Sequence, residues 1–158
     1  MNRWSVAVIL VAALAACGGQ SEAPVESAKQ AAPALPKPPD ESRRFPAEGR
    51  LKVGLIDANL LGKHYLPGGN LAEYERNGKK FRMFLAVAES PDAAAFLMLD
   101  FKNDLADAKY VSHMGGYFGR DGDQPVFVLQ KGTYLAGVVG LDEQEADLAA
   151  RELAARLN

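Results

Sequence analysis

Two strand-like runs separated by Asn77-Gly78, and two more separated by Lys131-Gly132, limit what this chain can fold into more than any other feature. An Asn-Gly step supplies the left-handed backbone of a tight turn, and such turns join neighbouring antiparallel strands. The first pair covers residues 71–75 and 80–87, and the second covers residues 125–130 and 133–139, rich in β-branched and aromatic side chains. Between the hairpins, Ser90-Pro91-Asp92 offers an N-cap hydroxyl, a first-turn proline and an early carboxylate. They precede an apolar stripe at Ala94, Leu97, Met98, Phe101 and Leu105, which predicts an amphipathic helix. After the second hairpin, Asp142 and Glu145 form the start of another helix whose apolar face is Ala146, Ala149, Ala150, Leu153 and Leu157. Hairpin, helix, hairpin, helix predicts an α+β fold, an antiparallel sheet built from hairpins with two helices packed on one face.

The remaining segments read less sharply. Leu66-Pro67-Gly68-Gly69-Asn70 is turn chemistry, and residues 110–120 look like a loop leading into a strand. Residues 51–55 alternate weakly as a strand would, while residues 55–61 fit a short helix equally well. Residues 18–48 are rich in Ala, Pro, Ser, Glu and Lys and poor in aromatic and β-branched side chains, so they cannot offset their own ordering entropy. The expected organisation is a signal peptide over 1–16, Cys17 with a disordered Pro/Ala-rich tether over 17–48, and one globular domain over 49–158.

That organisation rests on Cys17, the only cysteine in the chain. It follows Arg3 and an apolar run of eleven residues, 6–16, ending Leu14-Ala15-Ala16, and it precedes Gly18-Gly19. At about 1.5 Å per residue such a run spans about 16 Å, well short of the roughly 30 Å of a bilayer core. The Leu-Ala-Ala-Cys ending resembles the lipobox of bacterial lipoproteins. The resemblance implies cleavage before Cys17, a diacylglycerol on its thiol and a further acyl chain on its new amino group. It thereby implies a membrane partner held through the lipid, since several acyl chains anchor where one does so only reversibly. Gly18 lacks the aspartate that retains such lipoproteins at the inner membrane, which implies the periplasmic face of the outer membrane in a Gram-negative cell.

A second resemblance involves Asn70-Leu-Ala-Glu-Tyr74, Ser90-Pro91-Asp92-Ala93-Ala94, Gly115-Gly116-Tyr117 and Gln130-Lys131-Gly132-Thr133-Tyr134. In this order they are similar to the motifs of an uncharacterised domain family of secreted bacterial proteins, over roughly residues 65–157. Glu75-Arg76-Asn77-Gly78 stands where that family carries a glycine-rich continuation. The resemblance bears on fold and assigns no catalytic residue.

The rest of the chain offers no catalytic constellation. His64 and His113 have no second histidine or cysteine at ligand spacing, so no metal or cofactor site is expected. His113-Met114 cannot ligate the two faces of a haem, and Asp121-Gly122-Asp123 lacks the further carboxylates of a calcium loop. Ser90 and Ser112 lack a nucleophile-elbow context, and Gly115, Gly116, Gly119 and Gly122 precede no helix that could cradle phosphate. The formal net charge is −2, and the basic clusters Arg43-Arg44 and Lys79-Lys80 with Arg82 are short, so no nucleic-acid partner is expected. Two readings follow. The first is a non-enzymatic binding module tethered in the envelope. Its candidate contact surface for an envelope protein is Tyr110, Met114, Tyr117 and Phe118, a pattern that a core strand would also show. The second is a small-ligand carrier or enzyme with a pocket between sheet and helices.

Overall fold

The computed structural model describes residues 37–158. In chain order these form β1 (Arg50–Ala58), β2 (Pro67–Arg76), β3 (Lys79–Val87), α1 (Pro91–Asp104), β4 (Ala106–Val111), β5 (Gly116–Asp121), β6 (Gln124–Lys131), β7 (Tyr134–Val139) and α2 (Glu143–Ala154). All strands join one antiparallel sheet in the order β1-β2-β3-β7-β6-β5-β4. Two meanders, β1 to β3 and β4 to β7, meet where β7 pairs with β3. The α+β class and the hairpin-built antiparallel sheet are as the turn chemistry predicts. So are both helix starts: the Ser90 hydroxyl accepts from the Ala93 amide at 3.0 Å, and the Asp142 carboxylate accepts from the Glu145 amide at 3.0 Å.

The placement of the helices differs from expectation. They lie on opposite faces of the sheet, not on one. Phe81, Met83, Leu85, Phe127, Leu129, Ala136 and Val138 form one core with Ala146, Ala149, Ala150 and Leu153 of α2. Phe84, Ala86, Val126, Val128, Leu135 and Val139 form another with Phe101 of α1 and the adjoining Leu105. Alternation along each strand sends successive side chains to opposite faces. The apolar runs of β3, β6 and β7 are nearly unbroken, so both faces of these central strands need cover. One helix layer would have left Phe84 and its neighbours in water.

Two segments also depart from their sequence reading, and the alternative left open over residues 51–61 is resolved. Residues 110–120 are two paired strands, β4 and β5, with a turn over 112–115 between them. Residues 51–58 are strand, followed by a single 3-10 turn at Leu60–Gly62. Gly68 and Gly69 lie inside β2 instead of in a turn. A Cβ on Gly68 would stand 2.3 Å from the Asp57 carbonyl oxygen, and one on Gly69 would stand 2.3 Å from that of Leu85. These glycines serve close backbone approach within the sheet.

The packed domain begins before Gly49, the expected boundary. Residues 40–48 form a strap on the α2 side of β2, with Phe45 only 2% exposed in that core. Asn70, the one buried polar side chain among the described residues, latches it. Its Oδ1 accepts from the Glu41 amide at 2.8 Å and its Nδ2 donates to Asp40 at 2.9 Å. The Tyr74 hydroxyl donates to the Pro46 carbonyl at 2.8 Å, and burial pushes this phenol up to about 12. Arg44 closes the strap against the end of the chain by donating to the Arg156 carbonyl at 2.7 Å.

Candidate functional site

The four aromatic and methionine side chains expected to share a contact surface are divided by the sheet. Tyr110 and Tyr117 sit on adjacent strands with ring centroids 5.4 Å apart, and Tyr117 packs on the α1-side core. Met114 and Phe118 pack on the α2-side core. Only Tyr110 is well exposed, at 57%, so these residues do not converge. Cys17, the expected lipidation site, lies outside the described residues.

Several of the other residues weighed for chemistry have structural partners. His113 Nε2 lies 2.6 Å from Asp147 Oδ1, tying the β4–β5 turn to α2, and Arg151 donates to the same carboxylate at 2.9 Å. Asp121 forms an ion pair with Lys63 at 3.0 Å. Lys79 is held by Glu145 at 2.7 Å, which neutralises part of that basic cluster. Among the described residues no three His, Cys, Asp or Glu side chains converge as a metal site requires, and no helix is long and apolar enough to cross a membrane.

The feature best built for contact is a groove of about 610 Å³ between α1 and the connection from β1 to β2. Ala93, Phe96 and Leu97 of α1 form one wall, and Val87, Ala88 and Glu89 at the end of β3 form the floor. Asp57, Ala58 and Asn59 with residues 64–68 form the opposite wall. The walls are mainly apolar, with His64, Asp57 and Glu89 supplying the polar groups. Phe96 is 68% exposed beside it, and Leu99, one turn further along α1, is also exposed.

The loop forming the far wall is held in a costly conformation. Asn59 and Leu61 adopt left-handed backbone angles, with φ of 54° and 59°. For a leucine that conformation costs on the order of 1–2 kcal/mol. Its neighbours offset the cost, because Leu60 and Leu66 are buried in the α1-side core. Lys63 adds a clamp, pairing with Asp104 at 3.1 Å and Asp121 at 3.0 Å while its ammonium lies 5.0 Å from the Phe101 ring centroid. The Tyr65 hydroxyl donates to Asp104 at 2.8 Å. The groove wall is thus preorganised by contacts to α1 and β5.

Protonation should loosen that clamp. The Tyr65 hydrogen bond, and after it Lys63, hold the Asp104 carboxyl below the usual aspartate range. Burial opposes the charge on Lys63, but Asp121 and Asp104 outweigh it and keep the ammonium above the usual lysine range. Burial and Asp104 together push the Tyr65 phenol far up. A depressed carboxyl contributes stability above its unfolded value, and the contribution is lost as pH falls through its folded value. Amide exchange over residues 59–66 should therefore quicken below about pH 4, relative to the central strands. Asp104→Asn should show the faster exchange already at neutral pH and should remove the acid step. An unchanged profile in that variant would show that the clamp does not hold the loop.

The sequence reading passed over Lys63, Tyr65 and Phe96. A signal for Phe96 and Leu99 was available, because both are large apolar residues lying off the helix stripe of Ala94, Leu97, Met98, Phe101 and Leu105. No family model, no curated protein and no solved structure matches this chain.

Proposed function

We propose that the chain is a lipid-anchored envelope lipoprotein whose globular domain is a non-enzymatic binding module, with the groove beside α1 as its contact site. The anchor rests on the lipobox-like run ending at Cys17. The contact role rests chiefly on the groove, an open apolar concavity with a preorganised wall and an exposed aromatic at its margin. Glu89 among its lining residues favours an apolar partner segment with a neutral or basic flank. The second reading, a small-ligand carrier or enzyme, would use the same groove, since the space directly beneath the helices holds fully buried side chains such as Phe84 and Phe101 on the α1 side and Phe127 and Leu153 on the α2 side.

The test is envelope fractionation followed by capture. The wild-type chain should sediment with membranes and, after detergent extraction, retain an envelope protein. Phe96→Glu should lower that retention about tenfold while changing stability by no more than about 0.5 kcal/mol, since an exposed position away from the core is being altered. Cys17→Ser should move the protein to the soluble fraction. Equal capture by wild type and Phe96→Glu would remove the groove from the reading, and a membrane-bound Cys17→Ser would remove the anchor.

A further inference from the structure

The two edges of the sheet are built differently. β4 is only six residues long, is broken by a register shift between Ala106 and Lys109, and carries Asp107 at a φ of 54°. The Lys109–Glu143 ion pair, at 2.7 Å, ties that edge to α2. A short, irregular, charged edge resists pairing with other chains. β1 has a register shift only at its start, between Arg50 and Lys52, and then pairs regularly with β2 to its end at Ala58. Leu51 is 62% exposed, and Leu55 and Ile56 are exposed as well. Three of the seven exposed large hydrophobic side chains among the described residues thus lie on this one strand. An edge that carries three exposed large apolar side chains and, among the described residues, leaves one row of peptide groups unpaired is a template for another strand.

Charge selects which strand. Arg50 lies opposite Tyr74, whose side chain is on the α2 side, and the alternation of β1 puts Val53, Leu55 and Asp57 on that same side. The bulge places Arg50 and Leu51 together on one rung. If a second β1 runs antiparallel about a two-fold axis through Gly54, Val53 stands opposite Leu55 and Lys52 opposite Ile56. The Arg50–Leu51 rung then stands opposite Asp57, twice over by symmetry. The Arg50 guanidinium also donates to the Ser42 and Phe45 carbonyls of its own strap, at 3.4 and 3.2 Å, so it brings a positive charge to the rung of Asp57 while staying anchored. Opposite charges then flank an apolar centre, and no like charges meet. Parallel pairing would instead set Arg50 beside Arg50 and Asp57 beside Asp57. At the crossing point a Cβ on Gly54 would meet nothing within 4 Å among the described residues. The geometry points to a homodimer formed by antiparallel pairing of β1 with β1 of a second copy, joining two sheets into one.

Cysteine cross-linking on the full chain tests this, because Cys17 is its only native cysteine and the wild type therefore gives the baseline. Directly opposed residues of antiparallel strands have Cα atoms about 4.5–5.5 Å apart, within the roughly 4.4–6.8 Å that a disulfide spans. Under mild oxidation in detergent, Gly54→Cys should give a covalent dimer whose 54–54 linkage is identified by peptide mass. Its yield should exceed that of Ser112→Cys, in an exposed turn, by about tenfold. Adding Asp57→Arg should lower the yield severalfold, and sedimentation of the otherwise native chain should show a monomer–dimer equilibrium that Asp57→Arg shifts to monomer. A Gly54→Cys yield no higher than that of Ser112→Cys overturns the proposal. So does a Gly54→Cys linkage to a different polypeptide, or indifference of the dimer to Asp57→Arg.

Discussion

Phe45→Ala is expected to lower folding stability by about 3–5 kcal/mol, the loss typical of truncating a fully buried aromatic side chain. The side chain is 2% exposed and lies in the core beneath α2, beside a Tyr74–Phe81 pair stacked with centroids 5.0 Å apart. A phenylalanine in a free tether would respond differently, with a change within about 0.5 kcal/mol. Urea unfolding distinguishes the two, provided the slope of stability against denaturant is unchanged. Trypsin gives a second readout. Arg43 and Arg44 lie in the strap that Phe45 pins, and cleavage there should accelerate in the variant. A loss below about 1 kcal/mol would place residues 40–48 outside the cooperative fold.

Phe84→Ala is expected to cost a similar amount, about 3–5 kcal/mol, from the opposite face of the sheet. Phe84 stacks on Phe101 of α1 with centroids 5.5 Å apart and planes 8° from parallel. Its ring leans over Gly137, directly opposite on β7, where an added Cβ would stand 2.5 Å from the Phe84 ring. Truncation leaves a void that the surrounding rigid strands cannot close. The same substitution would be nearly neutral if both helices lay on the α2 side, because Phe84 would then face water. The measured loss therefore reports directly on the two-sided architecture. Phe84→Leu, which retains most of the volume, should recover most of the stability.

How much of this was legible varies with the range of the interaction. Asn77-Gly78 announced its hairpin because turn backbone is decided by two residues, and Gly132 did so for the second, whose turn is Gly132-Thr133 with Lys131 still paired to Tyr134. Ser90 and Asp142 announced their helices because a cap bonds an amide three positions away. β4 was hidden: its burial does not alternate cleanly, and its regularity is interrupted at Asp107. Residues 40–48 read as tether because their composition is that of one, yet Asn70 and Tyr74 bring them into the fold through hydrogen bonds across gaps of 28 to 30 positions. The groove was partly visible through Phe96 and Leu99. Its far wall was not, since the clamp at Lys63 unites residues 63, 104 and 121, and no local pattern relates such positions.

By itself the sequence determined the β2–β3 and β6–β7 hairpins and both helix starts, all of which depend on residues within a few positions of one another. It also carried, unheeded, the demand for two-sided cover in the unbroken apolar runs of β3, β6 and β7. Only the tertiary structure decided which helix answers that demand on which face. After β3 the chain must reach the far edge at β4, and α1 makes that crossing over β6 and β7, so α1 takes one face. α2, emerging from central strand β7, is left to cover the other. The groove follows from the same route, because α1 lies over β6 and β7 and the β1–β2 connection rises beside it to form the opposite wall.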